Sequence, residues 1–378
     1  MNQSKAMTNI YFDHNATTPL HPMSKNAMME IMNICGNASS IHNHGREVRQ
    51  YIESARLHVA TYFNVTPAQV VFTSGATEAN NLVIKGFTGQ VIVSAIEHDS
   101  ILKARDDLII CPVTSDGIID LVALENLLQQ ASKPCLVSIM AANNETGVLQ
   151  PLEAIIEICQ RYQVLTHTDA VQVIGKCNIH WQQLKFDYIS VSAHKMGGPQ
   201  GIGALIVNPF WSLRPQMTGG GQERYFRSGT ENVIGIVGFG AAIQHCQMND
   251  WAPIIQLKNE LEDYMITTFP QVTIFGVNVP RTPNTINLTM PGVVNTVQVM
   301  HFDLNNVSLS AGSACSSGKV KTSHVLQAMG IDKTEIETSI RLSLGLQTTA
   351  AEIQHFIHIW KDLYDRTYGG AENRSIRQ

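Results

Sequence analysis

The chain has 378 residues, 44% hydrophobic and 15% charged, and a net charge of −5. That length exceeds one simple core and predicts two domains, while an acidic balance with no basic tract gives no support to nucleic-acid or anionic-membrane binding. No apolar run reaches the roughly 18 residues of a membrane span and the N-terminus lacks a leader pattern, so the expectation is a soluble, cytoplasmic protein.

In chain order, residues 10–13 read as a short strand, followed by an irregular turn from His14 to Pro19. The loop 36–45 is small, polar and histidine-bearing, but His42 and His44 have no third ligand nearby, so a metal site is not expected there. Apolar residues keep helical spacing over 46–63. Strands are then predicted at 70–73, 91–95, 109–113, 135–140, 164–168, 188–193 and 203–207, with helices between most of them, such as 121–130 and 152–162. This alternation predicts an α/β fold with a mostly parallel sheet covered on both faces. The last two strands are joined too tightly for a helical crossover and must be antiparallel or not neighbours. Beyond Asn208 the rhythm changes to a glycine-rich loop, 218–224, then helices at 232–248 and 253–269, short strands, and a helix at 351–364. Residues 16–250 are expected to form the large domain. Residues 1–15 and 251–378 are expected to form a smaller α+β domain, with a loop of tiny residues at about 310–320.

Five strand ends carry chemistry. Thr73-Ser74-Gly75-Ala76-Thr77-Glu78 leads a strand through small residues into a helix, whose exposed N–H groups suit a phosphate. His98 follows the next strand, where an imidazole can stack on a flat ligand or move protons. Asn144, in a turn after a strand, can donate to a ligand oxygen. Asp169 closes a buried strand, where a carboxylate needs a cationic partner. Ser192, His194 and Lys195 end the strand 188–193, and a desolvated lysine there becomes a nucleophile towards a carbonyl. Each feature alone has an ordinary structural explanation. An anion cradle, a ring, a carboxylate and a lysine on successive strand ends together fit pyridoxal phosphate, with Lys195 as its Schiff-base lysine and Asp169 holding the pyridinium proton.

The chain has seven cysteines and no C-x-x-C pair. Cys111, Cys135 and Cys159 lie in apolar runs and read as core residues. Cys315 sits instead in Ser310-Ala311-Gly312-Ser313-Ala314-Cys315-Ser316-Ser317-Gly318, which cannot pack a core and reads as a mobile loop carrying a free thiol. Arg341, inside an apolar strand-like run, either pairs with a structural carboxylate or clamps a substrate carboxylate.

These segments, with Tyr11-Phe12-Asp13-His14-Asn15-Ala16-Thr17-Thr18-Pro19, 138–147, 169–175 and 219–230, resemble the group I cysteine desulfurases of the NifS/IscS type, which belong to the class V aminotransferase-like, fold-type-I pyridoxal-phosphate enzymes. The resemblance spans nearly the whole chain in family order. It implies a large domain with a seven-stranded sheet and a homodimer. It assigns Lys195, Asp169, Gln172, Asn144, His98, Ala76, Thr77, Ser192 and His194 to the cofactor, with Thr230 reaching in from the other subunit. It assigns Arg341 to the carboxylate of L-cysteine, with Asn144, Asn15 and Asn37 nearby. Cys315, Lys195 and His98 become catalytic: Lys195 and His98 move protons, and Cys315 takes the sulfur as a persulfide and leaves L-alanine. The persulfide then passes to an acceptor protein, in iron–sulfur assembly or in tRNA or DNA thio-modification. The segment 369–378 is polar and shorter than the tail of housekeeping members, and is expected to be frayed. The alternatives are a selenocysteine lyase, a class V aminotransferase, or a non-catalytic scaffold for sulfur carriers. A thiol at Cys315 discriminates against the aminotransferase.

Overall fold

The structure is a computed structural model describing residues 9–207, 213–246, 250–312 and 322–375, with side chains to 368. Strand β1 (Ile10–Tyr11) stands apart from the central sheet. That sheet holds β2 (Val70–Thr73), β3 (Gln90–Ser94), β4 (Ile109–Cys111), β5 (Cys135–Ser138), β6 (Leu165–Asp169), β7 (Tyr188–Ser192) and β8 (Gly203–Val207). Its spatial order is β2-β8-β7-β6-β5-β3-β4. All neighbouring pairs are parallel except the two made by β8, which runs against both β2 and β7. The short β7–β8 connection therefore resolves to antiparallel neighbours, since no helix can cross within it.

β2, β5, β6, β7 and β8 are buried at every position, as expected for a sheet covered on both faces. One cover packs Val48, Ile52, Val59 and Phe63 of helix Asn43–Phe63 with Phe239 and Ile243 of helix Val233–Cys246. The other packs Leu82, Val83 and Ile84 of helix Ala76–Gly86. A separate core gathers Ile10, Phe12, Phe302, Phe356 and Trp360 around β9 (Thr285–Thr289), β10 (Val307–Ser308) and β11 (Ser339–Ser343). There β1 pairs in parallel with β10, and β9 with β11 antiparallel.

One element lies where no expectation was stated and one expectation changes. Helix Pro22–Ile31 opens on a proline and precedes the loop 36–45. The C-terminal helix runs Ala350–Ser375 instead of ending at Tyr364 with a frayed tail. Tyr368 packs on Tyr364 at 4.4 Å between ring centroids and its hydroxyl donates to the Pro291 carbonyl, so the first added turn has partners. No described helix is long and apolar enough to cross a membrane.

Candidate active site

Because five strands of the sheet run in parallel and β2 points the same way, their C-terminal ends meet at one edge, where open α/β sheets bind ligands. A cavity of about 630 Å³ lies there, lined among others by Thr77, His98, Asp169, Lys195 and Arg341. Ala76, Asn144, Ser192, His194 and Asn15 also line it.

Helix Ala76–Gly86 opens on this cavity. Its N-cap is Gly75, and no side chain caps the helix there, so its first N–H groups remain available to an anion. Gly75 has φ 155° and ψ 179°, a conformation essentially reserved for glycine. Gly203 at the start of β8 is equally required: a Cβ there would lie 2.5 Å from the Val191 carbonyl and 2.8 Å from Gly75 Cα. The close approach of these two backbones seats the turn beside Ser192. Glu78, in the first helical turn, is taken up by Arg227 at 2.9 Å and by the Ser74 N–H at 2.8 Å, so it does not present an unneutralised charge to the anion position.

Asp169 ends β6, 7% exposed. Its Oδ1 accepts the Val171 N–H at 3.0 Å and its Oδ2 the Asn80 amide at 2.8 Å. His167, two residues earlier, is not part of the cavity lining. Its ring lies between Ser138 and Ser190 hydroxyls, and burial holds it down at about 4, neutral at ordinary pH. The lysine segment is latched by the N-terminal turn: Thr18 Oγ1 donates to the His194 carbonyl at 2.8 Å and accepts the Gly197 N–H at 2.8 Å. Burial, with the Lys195 charge adding, lowers His194 to about 4.

Arg341 comes from the other core. Its side chain is 3% exposed and pairs with Asp13 at 2.6 Å and with the Asn144 carbonyl at 2.9 Å. Its Nε has no partner among the described residues. Both readings of this arginine are therefore physically available: it holds a structural carboxylate and still borders the cavity.

Not every expected residue reaches the cavity. Asn37 is exposed, and its side chain accepts the Ser39 N–H at 2.9 Å in its own turn. Gln172 donates to the Asn15 carbonyl at 3.1 Å and accepts from Lys176 at 3.0 Å, and is not among the residues lining the cavity. Asn15 lines the cavity, but its amide donates to the Asn144 carbonyl and Thr285, and its oxygen accepts from Lys176 and Asn284. Thr230 is exposed and does not line the cavity of its own chain. His42 caps helix Asn43–Phe63 by accepting the Gly45 N–H at 3.3 Å. Cys315 lies outside the described residues.

Sequence reasoning missed four buried polar residues here. Lys176 donates 3.0 Å bonds to Asn15 and Gln172, and burial, then the Lys195 charge, lowers it to about 7. Its spacing four residues after Gln172 was the only signal. Glu97 is fully buried, accepts the Met140 N–H at 2.7 Å, and is pushed well above the carboxylate range by burial, with Asp169 adding. Glu145, raised by burial, accepts from the Ser323 hydroxyl. Asn80 bonds Asp169 from within a helix.

An uncapped helix N-terminus, a buried carboxylate, an imidazole and a lysine around one cavity of this size are the donor set that pyridoxal phosphate requires. Residues 10–356 match the aminotransferase class-V family. The chain is 36% identical over 376 residues to the cysteine desulfurase IscS of Dictyoglomus turgidum, covering 94% of this chain and 95% of that one. It is 38% identical over 380 residues to the cysteine desulfurase IscS of Vibrio cholerae serotype O1, covering 94% and 93%. Among solved structures, a NifS-like protein from Rickettsia africae has a TM-score of 0.88 and 38% identity, over 94% of this chain and 99% of that one. The chain belongs to the class-V aminotransferase family, among the cysteine desulfurases of the NifS/IscS type.

Proposed function

We propose that this chain removes sulfur from L-cysteine with pyridoxal phosphate, leaving L-alanine and a persulfide on Cys315. The convergence of Lys195, Asp169, His98, Arg341 and the helix N-terminus at Ala76 on one cavity carries the reading. Bound pyridoxal phosphate supplies the electron sink that makes the substrate Cα acidic and that would take up the electron pair left on carbon when the sulfur is removed.

The chain's own residues do the rest. Ala76 and Thr77 at the helix N-terminus, with Ser192 and His194, hold the phosphate. Asp169 keeps the proton of the pyridine nitrogen, its own two oxygens oriented by Val171 and Asn80. Lys195 anchors the cofactor and then takes the Cα proton of the substrate. His98 covers the ring and passes protons. Arg341 and Asn144 orient the substrate carboxylate, the guanidinium having N–H donors beyond those given to Asp13 and Asn144. Gln172 supports the ring-hydroxyl side, and in this structure it reaches Asn15.

The sulfur step balances without an external oxidant. The Cys315 thiolate attacks the substrate sulfur, the carbon–sulfur bond breaks with its electron pair left on carbon, and protonation of that carbon gives alanine. A thiol partner is needed at this step, which sets the reaction apart from amino-group transfer. The acceptor of the persulfide is a protein of iron–sulfur assembly or of nucleic-acid thio-modification. We further propose a cytoplasmic homodimer in which Thr230 completes the neighbouring site, and a division into a large domain, 16–250, and a small one, 1–15 with 251–378.

Alanine release from L-cysteine by the holoenzyme with a thiol reductant tests the activity, wild type beside Cys315→Ala. Alanine and sulfide from the wild type alone support it. Equal turnover by Cys315→Ala would reject the persulfide step, and transfer of the amino group to a keto acid in its place would identify an aminotransferase.

A further inference from the structure

Four residues between β6 and the helical turn after β3 form an unbroken hydrogen-bonded line. Asn80 lies in helix Ala76–Gly86, one turn beyond the anion-binding end, and is fully buried. Its Nδ2 donates to Asp169 Oδ2 at 2.8 Å and to Ser100 Oγ at 2.9 Å. Ser100 Oγ lies 2.8 Å from His98 Nδ1, and the Ser100 backbone N–H donates to that same nitrogen at 3.1 Å. Ser100 is itself 8% exposed.

The direction of every bond in this line follows from its first member. A carboxylate accepts and does not donate, so Asn80 must turn its NH₂ towards Asp169. The second hydrogen of that nitrogen then points at Ser100, whose hydroxyl must accept it. The Ser100 hydroxyl hydrogen is left for His98 Nδ1. That nitrogen already receives the Ser100 N–H, so it serves as acceptor twice and holds no proton in the neutral ring. Asn80 Oδ1 has no hydrogen-bond partner among the described residues.

We propose that Asn80 and the Ser100 hydroxyl are positioning groups that reinforce the Ser100 backbone N–H in holding His98 as the Nε2–H tautomer, and that they tie its orientation to Asp169. The carboxylate at one edge of the cofactor site and the imidazole above it are set as one unit, and the ring presents a donor, not an acceptor, at its Nε2 edge. The consequence for turnover rests on the desulfurase reading, but the tautomer itself does not.

The test is ¹⁵N NMR of the resting holoenzyme labelled at histidine, without substrate, with a His98→Gln sample to assign the ring among the 14 histidines. In wild type and Ser100→Thr, His98 Nδ1 should give an unprotonated and Nε2 a protonated signal at neutral pH. In Asn80→Ala and Ser100→Ala both nitrogens should shift part of the way towards tautomer-averaged values, the backbone N–H of residue 100 still donating to Nδ1. With L-cysteine, kcat should fall about tenfold in these two variants, with KM within about twofold, and Ser100→Thr should restore it. A proton on Nδ1 in wild type overturns the proposal. So does an unchanged tautomer in the alanine variants, whatever their kcat. Should Asn80→Ala fail to fold, the Ser100→Ala and Ser100→Thr pair decides. If wild type proves inactive on L-cysteine, the desulfurase reading fails while the NMR still decides the tautomer.

Discussion

Replacing Arg341 separates the two roles its position allows. Its guanidinium holds Asp13 at 2.6 Å and the Asn144 carbonyl at 2.9 Å. Those bonds use two of the five N–H donors of an arginine, so a substrate carboxylate can take two more without breaking either. Two charge-assisted bonds are worth about 1.5–3 kcal/mol each. Allowing for non-additivity, Arg341→Ala should lose about 3–4 kcal/mol of binding, or roughly two to three powers of ten in kcat/KM. Arg341→Lys keeps the charge but not the planar fork and should lose about tenfold. Asp13→Asn acts with the opposite sign: it removes the anion that shares the guanidinium at nearly constant volume, so KM for L-cysteine should hold or fall. Steady-state alanine release gives KM and kcat for all three, and urea unfolding of each gives its stability. If Arg341 merely braces Asp13, Arg341→Lys and Asp13→Asn will lower stability alike and leave KM unchanged. That result would refute the clamp.

Cys315→Ala should abolish alanine formation and the mass gain of one sulfur atom that wild type shows after exposure to L-cysteine, as read by intact-protein mass spectrometry. Glu223→Ala should destabilise by about 3–5 kcal/mol, because it strips the 2.7 Å pair from Arg56 and the 2.8 Å bond from the Phe72 N–H, both buried. A thermal melt close to wild type would contradict it. Lys176 makes a pH prediction. Burial, with the Lys195 charge adding, lowers it from 10.5 to about 7, a difference equal to about 5 kcal/mol. Below pH 7 both folded and unfolded states hold the proton and the folded state bears the whole penalty. As pH rises from 7 to 10.5 the folded state sheds its proton first and the penalty is relieved. Wild type should therefore gain on Lys176→Met over that range, as read from urea midpoints. A gap that stays constant with pH contradicts a neutralised Lys176.

Most strands of the central sheet were legible because a strand buried on both faces must be a short apolar run between breakers, and β2, β3, β5, β7 and β8 come close to that pattern. Lys195, Asp169 and His98 were legible for the converse reason: a charged or polar group at the end of such a run violates the local pattern. The length of its connection left β8 either antiparallel to β7 or not its neighbour, and the structure makes them antiparallel neighbours. Asn80, Lys176, Glu97 and Glu145 gave no such signal. Asn80 lies within a regular helix, and Glu97 and Glu145 in polar turns, where these residue types are unremarkable until burial and partners are known.

The chain by itself thus determined most of the elements, their alternation, and which strand ends to examine for chemistry, since periodicity and breakers are local properties. Only the tertiary structure decided the strand order that brings those ends to one cavity, and the arrival of Arg341 from a second core. It also bonded Asn15 and Gln172 to Lys176. The physical reason is that a buried donor or acceptor must find a partner wherever the fold supplies one. Which partner is nearest depends on contacts between residues as far apart in sequence as Asp13 and Arg341.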